Sequence, residues 1–374
     1  MNIERQNLTV IYNTTNACNM ACKYCFEGQF EKNINQIKTD SNQYFVSVMD
    51  DLISFLEQVQ KWNRSQKVNL ILHGGEPLLI NVCNYRKFFE ELKKHGVRVE
   101  TSIQTNGTLI NAEVIELFKD YSIKVGISID GDKELNDFQR VDRGGNGFFD
   151  RICAGIARCK NAGIPTGCVA TITKKTLLNV KAFYEFFAIN NLHYRFNPIF
   201  AGIVPAQDEK LYITAAEYGK FCIELFKYWV EDQTNLCEIA NYEDIIRLFV
   251  GQVHIKGVCT NSENCYLGFV SVDANGDLYH CHRMCGNAKM RVGNIANMSL
   301  EDFMKDAVYM ENRKEILQSG ECGECSNWIF CHGGCPYNAF LKEGSFFSKD
   351  YFCDAYKITN EFIYNYLKKY ECER

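Results

Sequence analysis

Nowhere does the sequence run to about 18 uninterrupted apolar residues, the length needed to span a bilayer. Its start, Met1 to Gln6, carries Glu4 and Arg5 instead of the apolar segment of an export signal. A cytoplasmic location is expected, with no membrane partner. Excess positive charge is missing too: 41 Lys and Arg stand against 46 Asp and Glu, a net charge of −5, and no dense basic run follows a nucleic-acid backbone. Nucleic acid is not an expected partner. Prolines number only 5, and no proline-rich linker, low-complexity tract or internal repeat divides the chain, so its halves are expected to pack closely. With 46% hydrophobic and 23% charged residues over 374 positions, one to three domains with a large core are expected.

Cysteine is what the chain has in quantity: 19 residues, an odd number, with no export signal. Thiols stay reduced in the cytoplasm, so clustered cysteines there point to metal binding or catalysis and not to a disulfide framework.

The first half alternates β-branched runs with amphipathic stretches. Strands are predicted at 8–12, 68–72, 97–104, 124–129, 166–173 and 194–199. Between them, Phe45, Met49, Leu52, Leu56 and Val59 recur at helical spacing, and helices are predicted at 85–94, at 112–119 after the cap candidate Asn111, and at 180–187 after Asn179. Six strand-helix units in series imply an α/β fold, a parallel sheet that right-handed crossovers curl into a partial (β/α)6, TIM-like barrel. Chemistry in such folds collects at the C-terminal strand ends, and the polar motifs fall there: Asn13 to Cys25, His73 to Pro77, Thr105 to Gly107, and Asp130-Gly131. Beyond about residue 235 short hairpins and cysteine pairs take over. Asn275-Gly276 marks a hairpin turn, and Ser299 with Asp302 a helix start.

Cys18, Cys22 and Cys25 form C-x3-C-x2-C after the first strand. Three thiolates on one loop suit three irons of a cubane cluster and leave the fourth iron open to a small molecule. A structural zinc site completed by another ligand, such as His73, satisfies the spacing as well. The stretch Cys18-Asn-Met-Ala-Cys22-Lys-Tyr-Cys25-Phe26 resembles the signature loop of the radical S-adenosylmethionine (SAM) superfamily, and Gly74-Gly75-Glu76-Pro77 resembles its motif for the SAM amino group. The resemblance implies SAM contacts at Gln104, Asn106, Ser128 and Asp130, and a SAM carboxylate partner at Arg140 or Arg143. It places Tyr24 and Phe26 beside the cluster and adenine, with Phe196 and Asn197 as further pocket candidates.

Cys259, Cys265, Cys281, Cys322, Cys325, Cys331, Cys335 and Cys353 make a second constellation, two full sets of four by count, for cubane clusters or for zinc. Their order is similar to the SPASM domain of peptide- and protein-modifying radical SAM enzymes. That likeness implies two auxiliary [4Fe-4S] clusters, three in all: Cys259, Cys265, Cys281 and Cys335 would hold one, Cys322, Cys325, Cys331 and Cys353 the other. It divides the chain into a radical SAM core, 1–235, and a SPASM domain with a C-terminal helix, 236–374. Cys83, Cys153, Cys159, Cys168, Cys222, Cys237, Cys285 and Cys372 are left as small buried hydrophobes. Cys285 is singled out because it lies four residues after a presumed ligand, as a candidate to face substrate.

What the resemblance implies is one-electron cleavage of SAM, hydrogen abstraction from a peptide or protein by a 5′-deoxyadenosyl radical, and an electron donor such as flavodoxin or ferredoxin. Spacing and length are similar to those of anaerobic sulfatase-maturating enzymes, which carry an aspartate after the third ligand of the first auxiliary cluster; here His282 holds that place, as a base or as a hydrogen-bonding support of the cluster. The substitution ranks a maturase of ribosomally made peptides first and formylglycine formation second. A non-catalytic electron-transfer or zinc protein is the alternative of another class. No additional N-terminal peptide-recognition domain is expected, since the first strand begins within about ten residues of Met1.

Overall fold

The computed structural model describes residues 7–25, 34–200, 209–234, 237–251 and 264–371. Phe26, Cys259 and Cys372 lie outside them. Nine strands are present among the described residues: β1 (Thr9–Asn13), β2 (Val68–His73), β3 (Val99–Thr105), β4 (Lys124–Ser128), β5 (Thr166–Ile172), β6 (Tyr194–Pro198), β7 (Phe269–Val272), β8 (Asp277–Tyr279) and β9 (Gly293–Asn294). The chain divides into two compact units, one of Met1–Ser128, Arg140–Thr166 and Tyr266–Glu311, the other of Ile129–Gln139, Gly167–Cys265 and Asn312–Arg374.

In the first unit the strands run in the order β4-β3-β2-β1-β7-β8-β9. The pairs from β4 through β1 to β7 are parallel, and β7-β8-β9 is antiparallel. β2 alternates buried Val68, Leu70 and Leu72 with half-buried neighbours, the period-2 pattern of a strand covered unequally on its two faces. Helices Met49–Trp62 and Val82–Lys94 bring Phe55, Tyr85 and Phe88 inward. Phe45 meets the Tyr85 ring edge-on at 5.2 Å and lies 5.9 Å from Tyr12. Because β1 and β2 are parallel, with Asn13 opposite His73, their following loops leave from the same sheet edge.

In the second unit β5 and β6 are parallel, with Cys168 opposite Tyr194 and Ile172 opposite Pro198. Helix Ala215–Glu231 lies on helix Cys353–Glu371 at Gly219, where a Cβ would fall 2.3 Å from Ile358 Cδ1. A cluster of Phe183, Phe187, Tyr194, Phe196, Phe221 and Tyr242 fills the core.

The α/β fold and the parallel-rich sheet read from the sequence are present. Asn111 caps its helix, accepting from the Val114 amide (3.0 Å), and Ser299 does so for Asp302 (3.1 Å). Asn179 does not cap: its Nδ2 donates back to the Lys175 carbonyl, because the chain has already turned helical at Lys174 under a Thr173–Thr176 capping box. Among the described residues no helix is long and apolar enough to cross a membrane.

Candidate active site

The cysteine loop is built against the turn after β2. Thr14 donates its amide to His73 O (2.9 Å), Gly75 to Thr15 O (2.8 Å) and Glu76 to Ala17 O (2.8 Å), so the two loops are stitched backbone to backbone. This explains the glycine pair. A Cβ on Gly74 or Gly75 would stand 2.3 Å from the carbonyl oxygen of Thr15 or Ala17, and Gly74 has φ +119°, a conformation that penalises any side chain.

Glu76 is fully buried, and its carboxylate braces the protein itself. Oε1 accepts from Leu78 N (2.9 Å) and Thr105 Oγ1 (2.6 Å), and Oε2 accepts from Asn106 N (2.8 Å). Burial raises its pKa and these three donors oppose the rise. The end of β3 is thereby tied to the cysteine loop, since Asn106 Nδ2 donates to Asn19 Oδ1 (2.8 Å) and lies 3.9 Å from Cys18 Sγ, while the Met20 amide points at the same sulfur from 3.4 Å. Burial, then the Glu76 charge and the Cys22 and Cys25 thiols, push the Cys18 thiol well above its ordinary value. Metal binding there would have to displace the thiol proton, since the ligand is the thiolate.

Of the two arginines, Arg140 is the buried one (6% exposed), with its guanidinium over the Tyr24 ring at 5.5 Å. The next residue, Val141, accepts the Ala21 amide (2.7 Å), which brings this segment against the cysteine loop. Arg143 sits exposed in the following turn. Gln104 donates to Ser128 Oγ (3.0 Å), held by Gly126, whose Cβ would lie 2.3 Å from Gln104 Oε1. In the second unit Asp130 accepts from Gln139 Nε2 (2.7 Å) and from the Thr171 amide (2.8 Å), a buried brace between β5 and the segment before the Lys133–Gln139 helix.

The β8 end meets the β2 end. His282 and His73 lie with ring centroids 4.8 Å apart, and His73 Nδ1 accepts from the Gly74 amide (2.8 Å). Burial pushes His73 down to about 4, while burial, His73 and Arg283 hold His282 well below its ordinary value. Burial thus disfavours a charged His282, for which two roles were expected, a base or a hydrogen-bonding support of the cluster. Cys281 stands just before the short helix His282–Met284, and Cys285 just after it.

Cys322, Cys325, Cys331 and Cys353 line one cavity together with Trp328, Gly333, Lys349 and Tyr356. Burial pushes the Cys331 thiol up to about 11 and raises Cys322 and Cys353. Cys335 is buried, its amide donating to Asp350 Oδ2 (2.6 Å). Among the described residues no three His, Cys, Asp or Glu side chains close on a single ion. Four thiols spread around one cavity suit a cubane, which takes each thiolate on a different iron. The first loop fits a cluster too, with sulfur-directed donors already in place.

Not every pocket candidate lies where it was expected. Phe196 is 1% exposed in the aromatic core, packed on Phe221 and Tyr242, because it shares the inward face of β6 with Tyr194; Asn197 points to solvent. Cys159, Cys168, Cys222 and Cys237 are buried as expected and Cys153 half-buried, but Cys83 is exposed near the start of its helix. The bracing roles of Asn19 and Asp350 escaped the sequence reading, since they come from tertiary contacts.

Comparison with known proteins gives matches to two family models: the radical SAM superfamily over residues 12–186, and the SPASM iron-sulfur cluster-binding domain over residues 264–326. The chain is 29% identical over 348 residues to a serine-type anaerobic sulfatase-maturating enzyme of Bacteroides thetaiotaomicron, covering 87% of this chain and 81% of that one. It is 26% identical over 363 residues to a cysteine-type anaerobic sulfatase-maturating enzyme of Clostridium perfringens, covering 94% of each. Among solved structures, native anSMEcpe with bound AdoMet and Cp18Cys peptide matches with TM-score 0.80 at 23% identity, over 97% of this chain and 98% of that one. Streptococcus suis SuiB bound to precursor peptide SuiA matches with TM-score 0.60 at 18% identity, over 92% and 75%.

Proposed function

Since residues 12–186 belong to the radical SAM superfamily and residues 264–326 to the SPASM iron-sulfur family, in a radical SAM enzyme closely related to anaerobic sulfatase maturases, we propose that this chain oxidises a cysteine or serine of a protein substrate to formylglycine. The observation that carries the reading is the likeness to a sulfatase-maturating enzyme across 94% of both chains, through both domains. It reverses the order expected from His282 alone, which put ribosomal-peptide maturation first.

In this reading Cys18, Cys22 and Cys25 hold the cluster with the open iron. Cys259, Cys265, Cys281 and Cys335 hold one auxiliary cluster, and Cys322, Cys325, Cys331 and Cys353 the other. Bound SAM and its cluster supply a 5′-deoxyadenosyl radical for hydrogen abstraction, and the auxiliary clusters supply an electron sink. The chain's own part is placement. Arg140, buried with its guanidinium over the Tyr24 ring, suits a bidentate grip on a carboxylate. Glu76 acts through the backbone it braces, and Asn106 with the Met20 amide steadies Cys18. A flavodoxin or ferredoxin is the proposed electron donor.

Modification of a ribosomally made peptide remains as a second reading, favoured by one observation: a histidine, His282, stands where the sulfatase maturases are expected to carry an acid. Anaerobically reconstituted enzyme, reductant and SAM are to be given a Cys-x-Pro-x-Arg peptide and its serine form, with the aldehyde trapped by a hydrazide. Aldehyde on either peptide supports the proposal. Reductive release of 5′-deoxyadenosine with neither peptide altered rejects it in favour of the second reading.

A further inference from the structure

Arg313 is 5% exposed and makes contacts that neither the cluster ligands nor the SAM site accounts for. Its Nη2 donates to Gly333 O (2.7 Å) and Ser348 O (2.7 Å), and its Nη1 to Gly334 O (3.2 Å) and, at the limit of bonding, His332 O (3.5 Å). All are neutral carbonyls. Among the described residues no carboxylate pairs with it. Asp350, the buried acid that abuts Gly334, is taken by the amides of Cys335 and Phe352, by Asn338 and by Tyr356. A buried cation surrounded by neutral acceptors is costly unless a negative charge lies nearby.

The loop it grips shows where that charge would be. His332, Gly333 and Gly334 follow one another with φ of +46°, +87° and +69°, between Cys331 and Cys335. This course presents their carbonyls to Arg313, while the Gly333 amide faces the Cys331 thiol. A Cβ on Gly333 would meet Leu317 Cδ1 at 2.4 Å and Arg313 Nη1 at 2.9 Å, so the grip and the glycine require each other. Lys349 and Lys357 also line the cavity, but Lys349 is half-buried and bound to Glu321 and Lys357 is exposed, so water screens both more than it screens Arg313.

We propose that Arg313 is a positioning residue that holds the Cys331–Cys335 loop in its left-handed course and supplies the buried positive charge that stabilises the reduced form of the cluster on Cys322, Cys325, Cys331 and Cys353. The inference rests on the reading that those four cysteines bind a cluster. Its test is a redox titration of the reconstituted full-length holoenzyme followed by electron paramagnetic resonance, with iron counted per chain, in wild type, Arg313→Lys and Arg313→Gln. Arg313→Gln is expected to retain iron and to shift the oxidised-to-reduced ratio of that one cluster about tenfold toward oxidised at fixed potential, equivalent to about 59 mV for one electron. Arg313→Lys is expected to stay near wild type. Loss of that cluster's iron in Arg313→Gln overturns the charge role, because it leaves only the holding of the loop. An unchanged ratio in Arg313→Gln, or the same behaviour in both variants, overturns it. A Cys322→Ser/Cys325→Ser enzyme that keeps all its iron and every cluster signal brings down the cluster assignment instead, whatever Arg313 does.

Discussion

At Glu76 two buried oxygens serve three donors, so the charge is anchored by the protein before any ligand arrives. Glu76→Gln would turn an amide toward the Asn106 N–H or the Thr105 hydroxyl and leave a buried donor unpaired, costing about 1–3 kcal/mol. The expected outcome is a lower Tm and weaker SAM binding by equilibrium titration, because Asn106 also touches the cysteine loop. An unchanged Tm would mean that the brace is not made. Cys18→Ala is expected to lose about four of about twelve irons and all reductive release of 5′-deoxyadenosine, with the auxiliary cluster signals intact; full iron retention would count against the first cluster. Much of this scale was legible, because sulfur ligands announce themselves by spacing. Arg140 against Arg143 was not, since only tertiary packing buries one and leaves the other on a turn. Phe196 misled because a strand end was weighed above strand alternation, although period 2 already put it on the face of Tyr194.

Among the elements, the helix Phe149–Asn161 touches the site through Gly155. Its missing Cβ would fall 2.2 Å from Gly107 O, at the turn that carries Asn106. Replacing a helical glycine by alanine ordinarily stabilises by up to about 1 kcal/mol. Here overpacking of about 1–3 kcal/mol wins, so Gly155→Ala is expected to lower Tm and to weaken SAM binding, whereas Gly167→Ala, with open space around its Cα, leaves both in place. Thermal unfolding and SAM titration of the two variants decide it, and a stabilised Gly155→Ala would refute the close approach. The strands of the parallel run were readable within about two residues because their apolar runs are short and bounded by turn residues. The hairpin was readable from Asn275-Gly276, where Asp273 Oδ1 accepts the Asn275 and Asp277 amides. That β7 would pair in parallel with β1, more than 250 residues earlier, was not, since no local pattern encodes a distant partner.

On the scale of the whole chain, the two units hold themselves together by different means. The first is organised on a sheet whose strands are satisfied by one another, with helices burying Phe55, Tyr85, Phe88 and Phe118. In the second, the stretch from Cys322 to Cys353 is made of turns and helices as short as Trp328–Cys331, too short to persist without tertiary anchors. Its anchors are Arg313, Asp350 and the four thiols around one cavity, and buried thiols without metal add neither charge pairing nor cross-links. Binding free energy at such a site is folding free energy. Anaerobic chelation of iron is therefore expected to leave amide protection in β1 to β4 nearly unchanged while residues 322–353 exchange at least tenfold faster, a loss of about 1.4 kcal/mol of local stability. Hydrogen exchange read by mass spectrometry on holo and stripped protein measures both regions in one experiment. Equal loss of protection in the two would show that the clusters support the entire fold, and unaltered exchange at 322–353 would show that packing alone suffices there.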